Sequence, residues 1–496
     1  MAGTKSLAKD SVIYGGSTIL VRMISWLLTT LFTYTLSTSD YGVMTNLYAY
    51  IAVFMILLTF GMETGFFRFI NQAGKYKVSQ VYSTALTVVG IIVILFLAIF
   101  LSFLPSLRPY IWSPEIPDSY IRLIIIIMSM DAFISIPFAF LRYQKKPIRF
   151  GAIKILQVIL YTVFCVFFLL VCPWIDKHNP QWISWFWDND NRLYYVLFSN
   201  LLATGIQTLC LLPELLGLRY KFDQALARKM IRYSFPLVIM GLAGIANQVV
   251  DKLIFPRVYP DPDTAFDQLG IYSACFKIAV IMVMFTQAFR YAYDPFVFEK
   301  SKDSDAGESY AKVMKYFIIL GLFIFLAVVF YLDIIKYFIA PEYFGGLGII
   351  PIVLAGELFF AVYYNLSLWY KVTDKTHWGA IFSVIAFGLI IAINLLFIPK
   401  YSYWACAWAA FVGNLLIMLL SYFIGQKKYP IRYDLKSIAL YVGLALSLYL
   451  VSQFVPIENL YLRLGFRTIL FSIYILFMIK RDLPLKEIPV LKRFVK

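Results

Sequence analysis

With two histidines, five cysteines and only 15% charged side chains in 496 residues, this chain has few groups from which to build a soluble catalytic site. His178 and His377 are too few for a histidine metal centre or a histidine proton relay. Cys165, Cys172, Cys210, Cys275 and Cys406 have neither metal-ligand spacing nor the look of a disulfide framework. All five fall in or beside apolar runs, where a thiol packs as a small apolar group. No Gly-x4-Gly-Lys-Ser/Thr loop occurs, so ATP hydrolysis by this chain is not expected. Soluble domains carry about 25% charged residues and about 45–50% apolar ones. The scarcity of charge here excludes a soluble enzyme, a disordered protein and a nucleic-acid-binding domain.

What is present is hydrocarbon. The chain is 61% hydrophobic and its mean hydropathy is +0.76. A helix crosses a hydrocarbon layer about 30 Å thick with about 20 apolar residues. The sequence holds about fourteen such runs, from 12–36 near the start to 461–479 near the end. They need about 294 residues, and the hydrophobic residues number about 303, which leaves no room for a sizeable soluble domain. Outer-membrane strands alternate apolar and polar residues over about 10 positions, whereas Val88–Phe100 and Ile121–Met130 are unbroken apolar runs. The predicted fold class is therefore an all-α membrane protein. The first run, about 25 residues long, exceeds a signal-peptide core and is expected to stay as the first helix.

The charge balance is +16, from 44 Lys+Arg against 28 Asp+Glu. If both termini are cytoplasmic, about 30 of the 44 cations fall in cytoplasmic segments and about 10 in outer loops, the asymmetry of the positive-inside rule. Arg142, Lys145, Lys146 and Arg149 form one such cluster, and Lys480, Arg481, Lys492 and Arg493 another. The excess charge is thus mostly an address. The longest outer loop, about Pro173–Arg192, carries Trp174, Trp182, Trp185 and Trp187, which suit an interfacial belt or lid. A membrane glycosyltransferase would need catalytic carboxylates in larger outer loops; Asp188 and Asp190 are the only candidates there, and the chain is not expected to be an enzyme.

Ionisable groups at membrane depth cost on the order of 2.5–3.5 kcal/mol on insertion scales, so each carries information. Arg22 lies mid-span in the first run and Lys277 in the eighth, neither with an opposite charge within a turn of its own helix. They read as lining for a polar cavity suited to an anionic substrate. Asp131 in the fourth span and Glu357 in the tenth read either as H⁺ or Na⁺ coupling sites or as counter-ions for those cations. Arg290 and Asp294 stand at i,i+4 and can pair with each other. Glu63 and Arg68 lie at the cytoplasmic end of span two. Asn200, Asn247, Asn365 and Asn414 also lie in spans, where hydrogen bonding between helices is the default and ligand contact the alternative; Asn247 and Asn365 are the candidate cavity groups.

Transporters are often built from duplicated halves. Gly42 followed by Tyr50-Ile51-Ala52-Val53 matches Gly270 followed by Lys277-Ile278-Ala279-Val280 with a one-residue slip, which pairs spans one and two with seven and eight. Span four then pairs with span ten, each holding one carboxylate. The expected organisation is a six-helix lobe at 1–218, a second at 219–430, and an extra helix pair with a basic cytoplasmic tail at 431–496.

Leu36-Ser37-Thr38-Ser39-Asp40-Tyr41-Gly42 followed by Leu58-Thr59-Phe60-Gly61-Met62-Glu63 resembles the first two helices of bacterial polysaccharide-export proteins. Asn394-Leu395-Leu396-Phe397-Ile398-Pro399-Lys400-Tyr401 leading into Ala405-Cys406-Ala407-Trp408-Ala409 resembles their span eleven to twelve junction, with Ala405-Cys406 where a Gly-Ala pair is usual. These are the O-antigen-type lipid-linked oligosaccharide flippases of the multidrug/oligosaccharidyl-lipid/polysaccharide exporter superfamily. The resemblance implies two six-helix lobes in a V, rocking to give alternating access around a cavity lined by helices one, two, seven and eight. It also implies that cations on helices one, two and eight serve the diphosphate of a polyprenyl-linked glycan. Arg22 and Lys277 match those helices, with Arg68 and Arg290 as further candidates and Asp294 beside the last. No cofactor is expected beyond H⁺ or Na⁺ coupling. The expected partners are the lipid-linked glycan, membrane lipid, and a polysaccharide polymerase with glycosyltransferases. The expected location is the bacterial cytoplasmic membrane. A peptidoglycan-precursor flippase shares the implied fold. A drug/cation antiporter does too, but should favour an anionic cavity.

Overall fold

The computed structural model describes residues 2–72, 76–217, 220–300, 305–373 and 375–482, with side chains from Gly15 onward except at 243, 292, 294–295 and 298–300. Within these residues the structure is helical throughout, with no strand. Thirteen helices are long and apolar enough to cross a membrane. They are α1 (Gly15–Thr35), α2 (Thr38–Ile70), α3 (Val78–Ser102), α4 (Asp118–Tyr143), α5 (Pro147–His178), α6 (Asn189–Cys210), α8 (Pro262–Tyr291), α9 (Ala306–Phe330), α10 (Pro341–Val372), α11 (His377–Tyr401), α12 (Tyr403–Lys428), α13 (Leu435–Phe454) and α14 (Leu460–Arg481). The fourteenth, α7 (Gln224–Val258), passes the same test as two segments, Gln224–Leu242 and Gly244–Val258, bent by 49°. A helical bundle of this kind satisfies every backbone group within its own span, as a hydrocarbon layer requires.

Local chemistry sets where the spans start and stop. Ser37 caps α2: its hydroxyl accepts from the Asp40 N–H at 3.0 Å and donates to the Asp40 carboxylate at 2.9 Å, so the Leu36–Asp40 segment turns the chain between α1 and α2. Near the far end of α2, Phe60 and Gly61 take positive φ values of 48° and 63° and kink the helix before Met62. Only glycine takes that conformation without strain, which accounts for Gly61. Asp223 caps α7 by accepting from the Leu226 N–H at 3.0 Å; that bond holds its carboxyl below the usual range. Asp434 and Asn459 cap α13 and α14 in the same way.

Two compact units emerge, with their boundary inside α8. The first comprises residues 1–273 with Ile398–Ser402. In it α4 is the most enclosed helix, 72% of its apolar window being buried, and α2, α3 and α6 pack around it while α1 lies on α5. Asn46 of α2 donates to the Lys252 carbonyl of α7 at 2.7 Å, and Asn200 of α6 donates to the Tyr48 hydroxyl of α2 at 3.0 Å. Glu63 at the end of α2 is paired with Arg142 at the end of α4.

The second unit comprises residues 274–397 and 403–496. Its centre is α10 packed on α12, with Gly356 permitting the approach: a Cβ there would stand 3.1 Å from the Phe411 Cα. Asn414 of α12 donates to the Gly356 carbonyl at 3.2 Å. The α13–α14 pair lies against α9 and is fastened at both ends. At one end Asp333 takes a bidentate bond from Arg463 at 2.8 and 3.1 Å and another from Arg467 at 2.8 Å. At the other end Asp482 accepts from Lys315 at 2.6 Å and from the Tyr441 hydroxyl at 2.7 Å. Burial pushes the Asp482 carboxyl up, but the Lys315 and Tyr441 hydrogen bonds and the Lys315 and Arg481 charges outweigh it and hold it below the usual range.

Candidate functional site

In the first unit, four of the sequence-derived candidates have distinct surroundings. Arg22 projects from α1 as an exposed side chain, and among the described residues it has no hydrogen-bond or ionic partner. Arg68 is exposed at the end of α2, its guanidinium 4.1 Å above the ring of Tyr233 on α7. Asn247 is half-buried on α7. Asp131 is half-buried on α4 and feels the charge of Lys154 from α5, whose ammonium also lies 4.1 Å above the Phe138 ring.

Around Asp131 runs a polar seam that no single stretch of sequence reveals. The Tyr48 hydroxyl of α2 lies 3.2 Å from the Tyr161 hydroxyl of α5 and accepts from Asn200 of α6. Tyr48 also feels the Asp131 charge. Three helices thus bring hydroxyl, amide and carboxylate groups to the face where α5 brings an ammonium. In a low-dielectric interior such a cluster holds its members in fixed geometry, because an unmet polar group there is costly.

In the second unit, α8 carries two of the candidate cations. Lys277 is half-buried. Arg290 is half-buried and places its guanidinium 3.7 Å above the ring of Tyr364 on α10. Both sit on one unbroken helix, Pro262–Lys300, and at 1.5 Å of rise per residue they stand about 20 Å apart along its axis. The Asp294 side chain, the other half of the i,i+4 pair, lies outside the described residues. Glu357 is half-buried on α10. Asn365, on the same helix, is 1% exposed, and among the described residues neither its amide nitrogen nor its carbonyl oxygen has a hydrogen-bond partner.

Sequence reading places Lys154 and Tyr364 within spans but gives them, and Lys371, no part in a site. Lys371 stands at the cytoplasmic edge of a predicted span and reads there as one more positive-inside residue. In the structure its ammonium lies 4.0 Å from the Tyr364 ring that Arg290 also covers. Its signal was present as a cation near an aromatic-rich helix end, but only the packing of α8 on α10 joins it to Arg290. Among the described residues no group of His, Cys, Asp and Glu side chains is placed to hold a metal ion.

Three comparisons with known proteins bear on this arrangement. Residues 7–293 match the profile of a family described as "polysaccharide biosynthesis protein". No curated protein matches the chain. Among solved structures, the fold is similar to a lipid II flippase MurJ in an inward closed conformation, with a TM-score of 0.71 and 12% identity over 95% of this chain and 99% of that one. It is also similar to an inward-facing multidrug resistance MATE family transporter of the MOP superfamily, with a TM-score of 0.64 and 10% identity over 87% of this chain and 96% of that one. These likenesses show the fold, and the profile match covers more than half of the chain. On its sequence the chain belongs to the polysaccharide biosynthesis protein family.

Proposed function

We propose that this protein is a flippase that carries a polyprenyl-diphosphate-linked oligosaccharide across the bacterial cytoplasmic membrane by alternating access, with both termini in the cytoplasm. The observation that carries the reading is Arg22: an arginine within an apolar span, exposed, with no partner among the described residues. A lone cation at that depth is costly unless a ligand compensates it. A diphosphate compensates it well, because opposite charges attract strongly at reduced dielectric and phosphate oxygens accept charge-assisted bonds from a guanidinium. Lys277 supplies a second deep cation. Membership of the polysaccharide biosynthesis family supports a glycan as the cargo, with polymerase and glycosyltransferases as the surrounding machinery.

The coupling ion, where one is used, is assigned to Asp131 or Glu357 as H⁺ or Na⁺.

A second reading, export of a peptidoglycan lipid precursor, is favoured by one observation: the lipid II flippase structure is matched over 95% of this chain and 99% of its own. Both readings share the anionic lipid-linked head group. They disfavour a drug/cation antiporter, which would place carboxylates rather than Arg22 and Lys277 at depth. Expression in a strain lacking its O-antigen-type flippase and in one depleted of its lipid II flippase separates them. Restored surface glycan in the first supports the proposal, rescued growth of the second moves the assignment to the precursor, and rescue of neither overturns both.

A further inference from the structure

In the second unit α13 packs on α9, α9 on α10 and α10 on α12, but α12 and α13, joined by residues 429–434, do not close the ring. The gap they leave is an apolar groove of about 580 Å³. Its floor is buried: Ile318 and Leu322 of α9 and Leu358 and Val362 of α10 are 7–9% exposed. Its rim is open: Leu419 and Phe423 of α12 and Val442 and Leu446 of α13 are 39–60% exposed. Each helix contributes one stretch to the lining, Met314–Phe325, Ala355–Leu366, Phe411–Phe423 and Leu435–Leu446, and each stretch is about 17 Å long at a helical rise of 1.5 Å per residue.

A void in hydrocarbon forfeits dispersion contacts on every wall, so a groove open to the bilayer is filled by a lipid chain. Length and charge select the lipid. A groove about 17 Å long matches one leaflet, half of a core about 30 Å thick, and so suits an acyl chain. One end of the groove lies at Tyr433 and Leu435, in the segment 427–436, which carries Lys427, Lys428, Arg432 and Lys436 against one carboxylate, Asp434. All four cations are exposed. Lys427 stands one turn beyond Phe423 on the same face of α12, and Arg432 and Lys436 flank Tyr433-Asp434-Leu435. Asp434 is already engaged, accepting from the Ser437 N–H at 3.1 Å and lying 3.7 Å from the Lys315 ammonium. The opposite end, at Phe325, Phe411 and Leu446, is apolar. The groove thus has the polarity of a lipid with an anionic head group, which juxtamembrane cations attract.

We propose that the groove between α12 and α13 holds a resident anionic phospholipid, one acyl chain along the groove and the phosphate at Lys427, Arg432 and Lys436. The lipid is structural and is not the cargo. It fills the space that the protein leaves between α12 and α13, and so sets where α13 stands. The inference is independent of the flippase reading, since none of the residues assigned to the transported substrate takes part in it.

The test is native mass spectrometry of the purified full-length protein, stripped of lipid in detergent and then offered phosphatidylglycerol, phosphatidylcholine with the same acyl chains, or undecaprenyl phosphate. Melting temperature is read alongside. The parent should retain phosphatidylglycerol in preference to phosphatidylcholine and melt higher with it. The triple variant Lys427→Gln/Arg432→Gln/Lys436→Gln, altered only at exposed positions, should bind phosphatidylglycerol at least about ten-fold more weakly. Val442→Trp, which fills the open rim, should lose phosphatidylglycerol and its melting shift, whereas Leu396→Trp, at an open apolar position of α11, should bind as the parent does. Retention by Val442→Trp and by the triple variant equal to that of the parent overturns the proposal. Equal retention of phosphatidylcholine by the parent overturns the head-group assignment. Preference for undecaprenyl phosphate, abolished by Val442→Trp, gives the groove to a prenyl tail and overturns a resident phospholipid. A parent that retains no lipid overturns it too, and lipid gained by a variant ending at Asp482 would then give the groove to the residues beyond 482.

Discussion

Gly42 and Gly270, the two glycines that the expected repeat aligns, meet backbone to backbone where α2 crosses α8. A Cβ at Gly42 would overlap the Phe266 carbonyl oxygen, and a Cβ at Gly270 would overlap the Thr38 carbonyl oxygen. Each glycine therefore faces the carbonyl one helical turn before the other, a two-fold relation in which both partners make the same contact. Thr38 and Asp267 add a hydrogen bond beside the crossing. In membranes such approaches are driven by packing of small residues rather than by the hydrophobic effect.

The first prediction concerns that crossing. Gly42→Leu or Gly270→Leu should force the helices apart and cost about 1–3 kcal/mol or more, read as a fall in the melting temperature of detergent-purified protein. Gly205→Ala, where an added Cβ meets nothing within 4 Å, should be neutral or slightly stabilising because alanine is the better helix former. Equal melting of all three variants would show that the close approach contributes nothing.

Arg22 and Lys277 give the second. Arg22→Gln with Lys277→Gln should abolish surface glycan in a complementation strain while the protein inserts and purifies normally. Cell-surface labelling of glycan against membrane abundance of the protein makes the measurement, and full export by the double variant would remove these residues from the substrate path.

The third concerns the α13–α14 pair. Asp333 answers both Arg463 and Arg467, so Asp333→Ala leaves two half-buried guanidinium groups without their carboxylate and should cost about 1–3 kcal/mol. The expected sign is early proteolysis of the Val455–Leu460 connection. If Asp333→Ala resists protease as the parent does, the pair is held by packing alone.

Asp482 at the other end of that pair predicts a pH dependence. Its folded-state carboxyl is held below its ordinary value, so its contribution is complete above the unfolded value of about 3.9 and is lost as pH falls through the lower folded value. Stability of the parent should decline on acidification in that range, and Asp482→Asn should show a shallower decline from a lower plateau. The melting temperature between about pH 3 and pH 7 tests both the sign and the residue.

Asp131 and Lys154 give the fifth. Asp131→Asn leaves the Lys154 ammonium without its carboxylate inside the membrane, and Lys154→Met does the converse. Each should destabilise more than the double variant, with a coupling energy of about 0.5–3 kcal/mol in a thermal double-mutant cycle. Additive single effects would mean that the two charges do not act on each other.

The spans and their number could be read from the order of residues alone. An unbroken apolar run such as Ile121–Met130 calls for a helix in hydrocarbon. Capping was legible too, because Ser37, Asp223, Asp434 and Asn459 bond to backbone only two or three residues away. Pairing was not. That Asp131 answers Lys154, that Asp333 holds two arginines more than 100 residues distant, and that Lys371 shares a ring with Arg290 depend on which helices touch and on which faces. Those choices are made where α4 meets α5, where α9 meets α14, and where the ends of α8 and α10 come together. Apolar sequence specifies that a segment enters the membrane; only tertiary packing specifies which of its few costly charges meet.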